Sequence, residues 1–359
     1  MFKSIVNLYR KISAGLTGSK PQKFFSYVYV TNQGSNTVSQ YRVIENGSLI
    51  PLSTPTVATG TTPVFINISP LGDNAYVANQ GGNSISQYKI ASNGELVALD
   101  APVAAGTSPV GIAMTPSGKF AYVANSSSND ISMYSVEDNG MLRPLLPTTV
   151  GAGIVPVAIA IEASGKYVYV VNYNSNDLSQ FVIQENGNLL PMSSPTIKAG
   201  VGPRAMTIDP GGKYVYVVNR ASNSLIKFDI APDGCLTLTS KPVACGQHPI
   251  YICLSGSGKN AYVANQNGND ISQYSLEQNG NLVPMIPETV AAEITPVCIA
   301  DALSGKYVYA TNISSNSISQ FQAGSQGSLS ALAVNAWRDS TVHTEVSPRY
   351  IASVTKKSS

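Results

Sequence analysis

The sequence predicts an all-β fold: a seven-bladed propeller of four-stranded antiparallel blades, closed by the C-terminal strand pairing into the first blade. Three observations predict it. A short motif, Tyr76-Val77-Ala78-Asn79 in one copy, recurs with its Asn at 32, 79, 125, 172, 219, 265 and 312. The steps between copies are 46 or 47 residues, the period of one supersecondary unit copied along the chain. Finally, the two ends complement each other. The first copy has no proline-headed strand before it, and the last such strand, from Pro348, has no motif after it.

Residues 1–25 precede the repeat. Phe2, Ile5, Val6, Tyr9 and Ile12 recur at helical spacing, with Lys3, Arg10 and Lys11 elsewhere on the wheel. The segment is expected to be either a short basic amphipathic helix that touches a membrane surface or partner, or a poorly ordered leader. A single propeller is expected over 26–354, with a short tail at 355–359.

The second unit shows how each blade is read. Residues 63–68, headed by Pro63, form a mostly apolar inner strand, and 70–74 a turn. A second strand over 75–78 ends in a turn at 79–83. Residues 84–90 alternate apolar and polar, the mark of a strand with one more exposed face. Asn93-Gly94 signals a hairpin, because both residue types accept positive φ. A fourth strand is expected over 96–99, with 102–106 a plain connection to the next blade. Four short strands with this punctuation make a propeller blade. The last proline strand supplies the inner strand of the blade begun by residues 26–53, which removes an open sheet edge.

Composition excludes several classes. Charged residues are only 12% of the chain and the net charge is +2, without the basic stripe a nucleic-acid binder needs. The four cysteines, Cys235, Cys245, Cys253 and Cys298, show no metal-ligand spacing, and Cys253 and Cys298 read as small core residues. Neither a metal nor another cofactor is expected. No apolar run reaches the length of a membrane span. Asn7, Arg10 and Lys11 interrupt the place where a secretory signal needs its apolar stretch, which points to the cytoplasm rather than to export.

The repeated Tyr-Val-x-Asn units resemble the YVTN repeats of bacterial and archaeal seven-bladed propellers. Those are similar to the lactonase propellers that include 6-phosphogluconolactonase. The resemblance covers about residues 26–354 and implies a catalytic cluster of His, Glu and Arg at the channel mouth. The family's Gly-Pro-Arg-His motif appears here as Gly202-Pro203-Arg204-Ala205, and a second Pro-Arg motif as Pro348-Arg349. Where the family often carries an acidic residue after the motif Asn of that blade, this chain has Arg220. An inner-strand Glu of the following blade falls near Tyr251. The resemblance therefore keeps two arginines and loses the proton-transferring groups. Lactone hydrolysis needs a base to activate water and donors to hold the oxyanion, and the arginines serve only the second need.

The remaining candidates come from breaks in the repeat. Position one after the inner-strand proline is Val or Ile in five blades and Arg in two, Arg204 and Arg349. His248 precedes the proline of the blade next to Arg204. A guanidinium fork suits a carboxylate or other anion. Position five is apolar in five blades but Asp301 and Ser353 at the closure, read as a hydrogen bond between the two or as a polar site. About five extra residues fall before Pro348, in a stretch at 335–345 holding Trp337, Arg338, His343 and Glu345. His343, Glu345 and Asp301 are the remaining candidates for a base. Arg204, Arg349, His248, Tyr251, Trp337 and Arg338 are the candidate ligand-binding residues. Two functions follow: a non-catalytic scaffold binding a protein partner or small anionic ligand at the channel mouth, or a hydrolase of a sugar lactone.

Overall fold

The computed structural model of the protein describes residues 24–303, 305–332 and 341–357. The predicted amphipathic segment, and Trp337 with Arg338, lie outside the described residues. Seven antiparallel sheets form a ring. Blade 1 joins the two ends of the chain: Pro348–Lys357 is innermost, followed outward by Phe24–Asn32, Thr37–Val43 and Leu49–Ala58. The closing pairing runs in register from Phe24 opposite Lys357 to Thr31 opposite Tyr350. Blades 2 to 7 start from inner strands Pro63–Ile68, Pro109–Met114, Pro156–Ile161, Pro203–Ile208, Pro249–Leu254 and Pro296–Ala302, and each grows outward in chain order.

The motif strand is the second from the channel, and the repeat is a set of ties between blades. Its tyrosines, Tyr29, Tyr76, Tyr122, Tyr169, Tyr216, Tyr262 and Tyr309, are fully buried. Each hydroxyl donates at 2.6 or 2.7 Å to the carbonyl of a hairpin glycine in the next blade. Tyr309 makes this bond to Gly47 across the closure, so the seam is tied like every other joint. Such a bond contributes about 1 kcal/mol, and losing one partner while the other stays buried costs more.

The paired asparagines divide the work. The first Asn of each unit is completely buried, and in six blades its Nδ2 donates at 2.8–2.9 Å to a serine seven residues on. Blade 5 has Ile226 at that place, and Asn219 Nδ2 is left without a partner. The second Asn takes a positive φ in all seven units, as its residue type allows. Its Oδ1 accepts, at 2.7–2.9 Å, the N–H of the residue just before the next blade's inner-strand proline. That residue also has positive φ, even where it is Val155 or Thr295, for which the conformation is costly. The Asn clamp offsets the cost. Asp130, Asp177 and Asp270 each accept from the motif Asn of their own blade, so they serve the turn.

Two local readings are corrected. In blade 2 the outer edge is two pieces, Leu96–Ala98 and Val103–Ala104, both paired with Ser84–Ile90. The chain leaves the edge between them at a turn where Asp100 Oδ1 accepts the Ala101 N–H. At Asn93-Gly94 only the glycine takes positive φ, at 85°. Asn93 instead accepts the Glu95 N–H with its side chain, the usual way an Asn closes a turn.

Candidate functional site

The site is made by a bulge that every blade repeats. Pro203 pairs with Asn219 and Ala205 with Val218, so Arg204 is an extra residue with no partner on the second strand. Arg349 is the extra residue between Pro348 and Tyr350 in the same way. A bulge re-aims the side chain it carries. Here the bulge residues of all seven blades meet around a pocket of about 50 Å³ at one end of the channel. Five are aliphatic, Val64, Val110, Val157, Ile250 and Val297; the other two are the arginines.

Among the described residues no acid is paired with these arginines. Burial, then Arg349 and Arg220 nearby, bring the Arg204 guanidinium down to about 10. Burial likewise lowers Arg349, with the Cys298 thiol opposing and Arg220 adding to the shift. Both arginines keep some exposed surface even though protein surrounds them. Unpaired buried cations are costly, and an anion placed between them relieves that cost.

Arg220 was read from the sequence only as the loss of an acidic residue, yet it is the third cation of the cluster. It follows the motif Asn219 directly, and its N–H extends the inner pairing to Gly202 O at 2.8 Å. Its Nη2 donates to Gln266 Oε1 at 3.1 Å, while its Nε is buried without a partner. The sequence signal was its place in the same unit as Arg204. His248 is the pre-proline residue of blade 6, the counterpart of Gly202, and the N–H of Gln266, the counterpart of Arg220, donates to its carbonyl at 2.9 Å. Its Nδ1 is buried and also lacks a partner.

Beneath the arginines an aromatic group crosses the channel. Tyr251 and Tyr350 hydrogen-bond hydroxyl to hydroxyl and meet edge to face, with ring centroids 5.2 Å apart. Phe65 lies 4.0 Å from the Tyr350 ring on the other side. Burial raises both tyrosine hydroxyls above their ordinary range, so they stay protonated. Beyond this plug the channel opens into a second, larger cavity of about 520 Å³.

The other candidates lie apart from the arginines. Asp301 is four residues beyond bulge residue Val297, about 13 Å along a strand at 3.3 Å per residue, and lines the larger cavity. Ser353 Oγ does donate to Asp301, at 2.7 Å, but to its backbone carbonyl; the carboxylate accepts the Gly256 N–H at 2.8 Å. His343 is exposed in the outer strand Thr341–His343 of blade 7, opposite Ser317, three strands from the channel wall. Glu345 is exposed in the loop that follows. Cys298 is fully buried, whereas Cys253 is only half-buried and lines the larger cavity.

A closed ring of seven antiparallel blades, with two arginines facing a small pocket at one channel mouth, defines a seven-bladed β-propeller. The chain belongs to the lactonase family of seven-bladed β-propellers, whose family model matches it in overlapping segments over residues 22–110, 94–201, 144–250 and 198–296. No curated protein matches the sequence. Among solved structures, it is similar to a candidate 6-phosphogluconolactonase from Bacteroides fragilis, with 21% identity, a TM-score of 0.80, and 94% of this chain and 100% of that one covered. It is also similar to the periplasmic gluconolactonase of Pseudomonas aeruginosa, with 18% identity, a TM-score of 0.79, and coverage of 92% and 99%. At these identities the likeness speaks for the fold. No helix among the described residues is long and apolar enough to cross a membrane.

Proposed function

We propose that the protein binds a small anionic molecule of the sugar-acid class at the arginine end of the channel, as a binding propeller rather than a hydrolase. One observation carries the reading: Arg204, Arg349 and Arg220 act on one another with no carboxylate paired to Arg204 or Arg349 among the described residues. Two guanidinium forks on facing bulges suit a carboxylate or phosphate. The sugar part of the proposal rests on the names of the structural neighbours, a 6-phosphogluconolactonase and a gluconolactonase. Calorimetric titration with 6-phosphogluconate tests it. Saturable binding that Arg204→Ala and Arg349→Ala each weaken about tenfold or more supports the reading. An absence of heat up to millimolar ligand, or affinity indifferent to both substitutions, overturns it.

A second reading, hydrolysis of a sugar lactone, is favoured by family membership and by one specific feature. The His248 imidazole has a buried, unpartnered nitrogen at the same rim, and a general base must reach the attacking water directly or through one other. Turnover of 6-phosphogluconolactone well above its spontaneous rate, lost in His248→Ala, moves the assignment to this reading. Turnover at the spontaneous rate leaves the binder.

A further inference from the structure

We propose that the opposite end of the channel is a second ligand site, for a small apolar molecule carrying one protonated amine. The cavity there, about 520 Å³, falls within the usual range for a small-molecule pocket. Its wall comes from the inner strands of five blades. At the fifth position after the proline, Ile68, Ile208 and Leu254 are half-buried and line it, with Ala300 and Ala352 beside them. Aliphatic surface left facing a channel is unfavourable unless an apolar body covers it, at about 25 cal/mol per Å².

The charge of the wall fixes the polar end of the occupant. Among the described residues that line it, Asp301 is the one charged residue, and none is Lys, Arg or His. Its carboxylate enters no ion pair among the described residues. One oxygen accepts the Gly256 N–H, and burial holds the group above its ordinary range. Beside it the Ser353 hydroxyl has spent its proton on the Asp301 carbonyl, so it offers only lone pairs to a ligand. The notch presents acceptors and negative charge at the edge of an apolar wall. An ammonium on a hydrophobic body meets both demands, because it supplies the missing counter-charge and donors.

The test uses three molecules with one body on the full chain: 1-(aminomethyl)naphthalene, 1-methylnaphthalene and 1-naphthaleneacetate, with binding read by calorimetry. The amine is expected to bind at least about tenfold more tightly than the neutral compound, and the acetate more weakly than either. Asp301→Asn is expected to remove the preference and leave neutral binding intact, which also shows that the variant is folded. Leu254→Trp, or Ala352→Trp if the first unfolds, fills the cavity and abolishes binding of both. Arg204→Met leaves amine binding unchanged, so failure here is distinguishable from failure at the arginine pocket. Equal affinity for amine and neutral compound, binding of the acetate alone, or no saturable binding overturns the proposal.

Discussion

The two ends of the channel are cut from the same seven strands, four residues apart, and have opposite chemistry. At the arginine end a bulge turns one side chain per blade into the opening, and two of those seven are cations with a third at the rim. At the other end the strands are regularly paired, the wall is mainly apolar, and among the described residues its single charge is an acid. In a repeat, a function appears where one copy departs from the rest, and the backbone decides what each departure can reach. An Arg at the bulge reaches the axis. An Asp four residues later reaches a separate cavity behind an aromatic plug.

The sharpest way to break this contrast is to reverse one charge. Arg349→Glu sets a carboxylate beside Arg204 and satisfies it internally. Affinity for 6-phosphogluconate is expected to fall by more than about 100-fold, the loss of two charge-assisted hydrogen bonds and the gain of a repulsion. Binding of 1-(aminomethyl)naphthalene at the far end should not change. Calorimetry on both probes checks it, and a shared loss would show that the ends are not independent.

Removing a cation should also stabilise the empty protein. The Arg204 value is depressed from 12.5 to about 10, so the folded state disfavours its charged form. A group lowered on folding contributes stability above its unfolded value and loses it as pH falls through the folded value. The cost is therefore present in full below about pH 10. Arg204→Met, which keeps the aliphatic stem, is expected to raise Tm at pH 7 by about 1–2 °C, the shift for roughly 1 kcal/mol in a chain of this size. Adding 6-phosphogluconate should raise the wild-type Tm by mass action and barely move the variant. Scanning calorimetry with and without ligand reads both effects.

The fold was legible because its signals are local and repeated. The motif spacing gave the blade count, and the unmatched inner strand from Pro348 gave the closure found opposite Phe24–Asn32. The site was legible in part. Arg204 and Arg349 stood out against five aliphatic residues at one position of the repeat. What made that position special, the slipped pairing after the proline, has no residue signature beyond the proline itself. Arg220 was missed because its role depends on how far a loop side chain reaches toward the next blade. The blade-to-blade bond of every motif tyrosine was invisible too, since its acceptor is a backbone carbonyl about 65 residues away in sequence, or 262 across the seam. The split outer edge of blade 2 depends on a turn at Asp100 that no strand propensity reports.

The plug offers a finer test of whether the ends are separate. Tyr350→Phe removes one hydroxyl and leaves that of Tyr251 buried without its partner. The expected cost is about 1–2 kcal/mol, seen as a lower denaturation midpoint with unchanged slope. Both probe affinities should stay within about twofold of wild type, because the rings, not the hydroxyls, close the passage.

The smallest effect concerns the acid at the far end. Burial holds the Asp301 carboxyl above its ordinary 3.8, against three backbone N–H donors that pull it down. Below that ordinary value both folded and unfolded states are protonated and the residue costs nothing. As pH rises through the raised folded value, the unfolded chain ionises more readily and stability is lost. Cys253 and Tyr262, whose own protons the Asp301 charge helps to retain, stay neutral across this window. Asp301→Asn keeps an acceptor for the Gly256 N–H but cannot ionise. The variant is therefore expected to melt about 1–2 °C above wild type at pH 7, with the gap closing toward pH 4. A gap that is constant with pH would mean the substitution acts through packing, and that the far end carries no buried charge for an amine to meet.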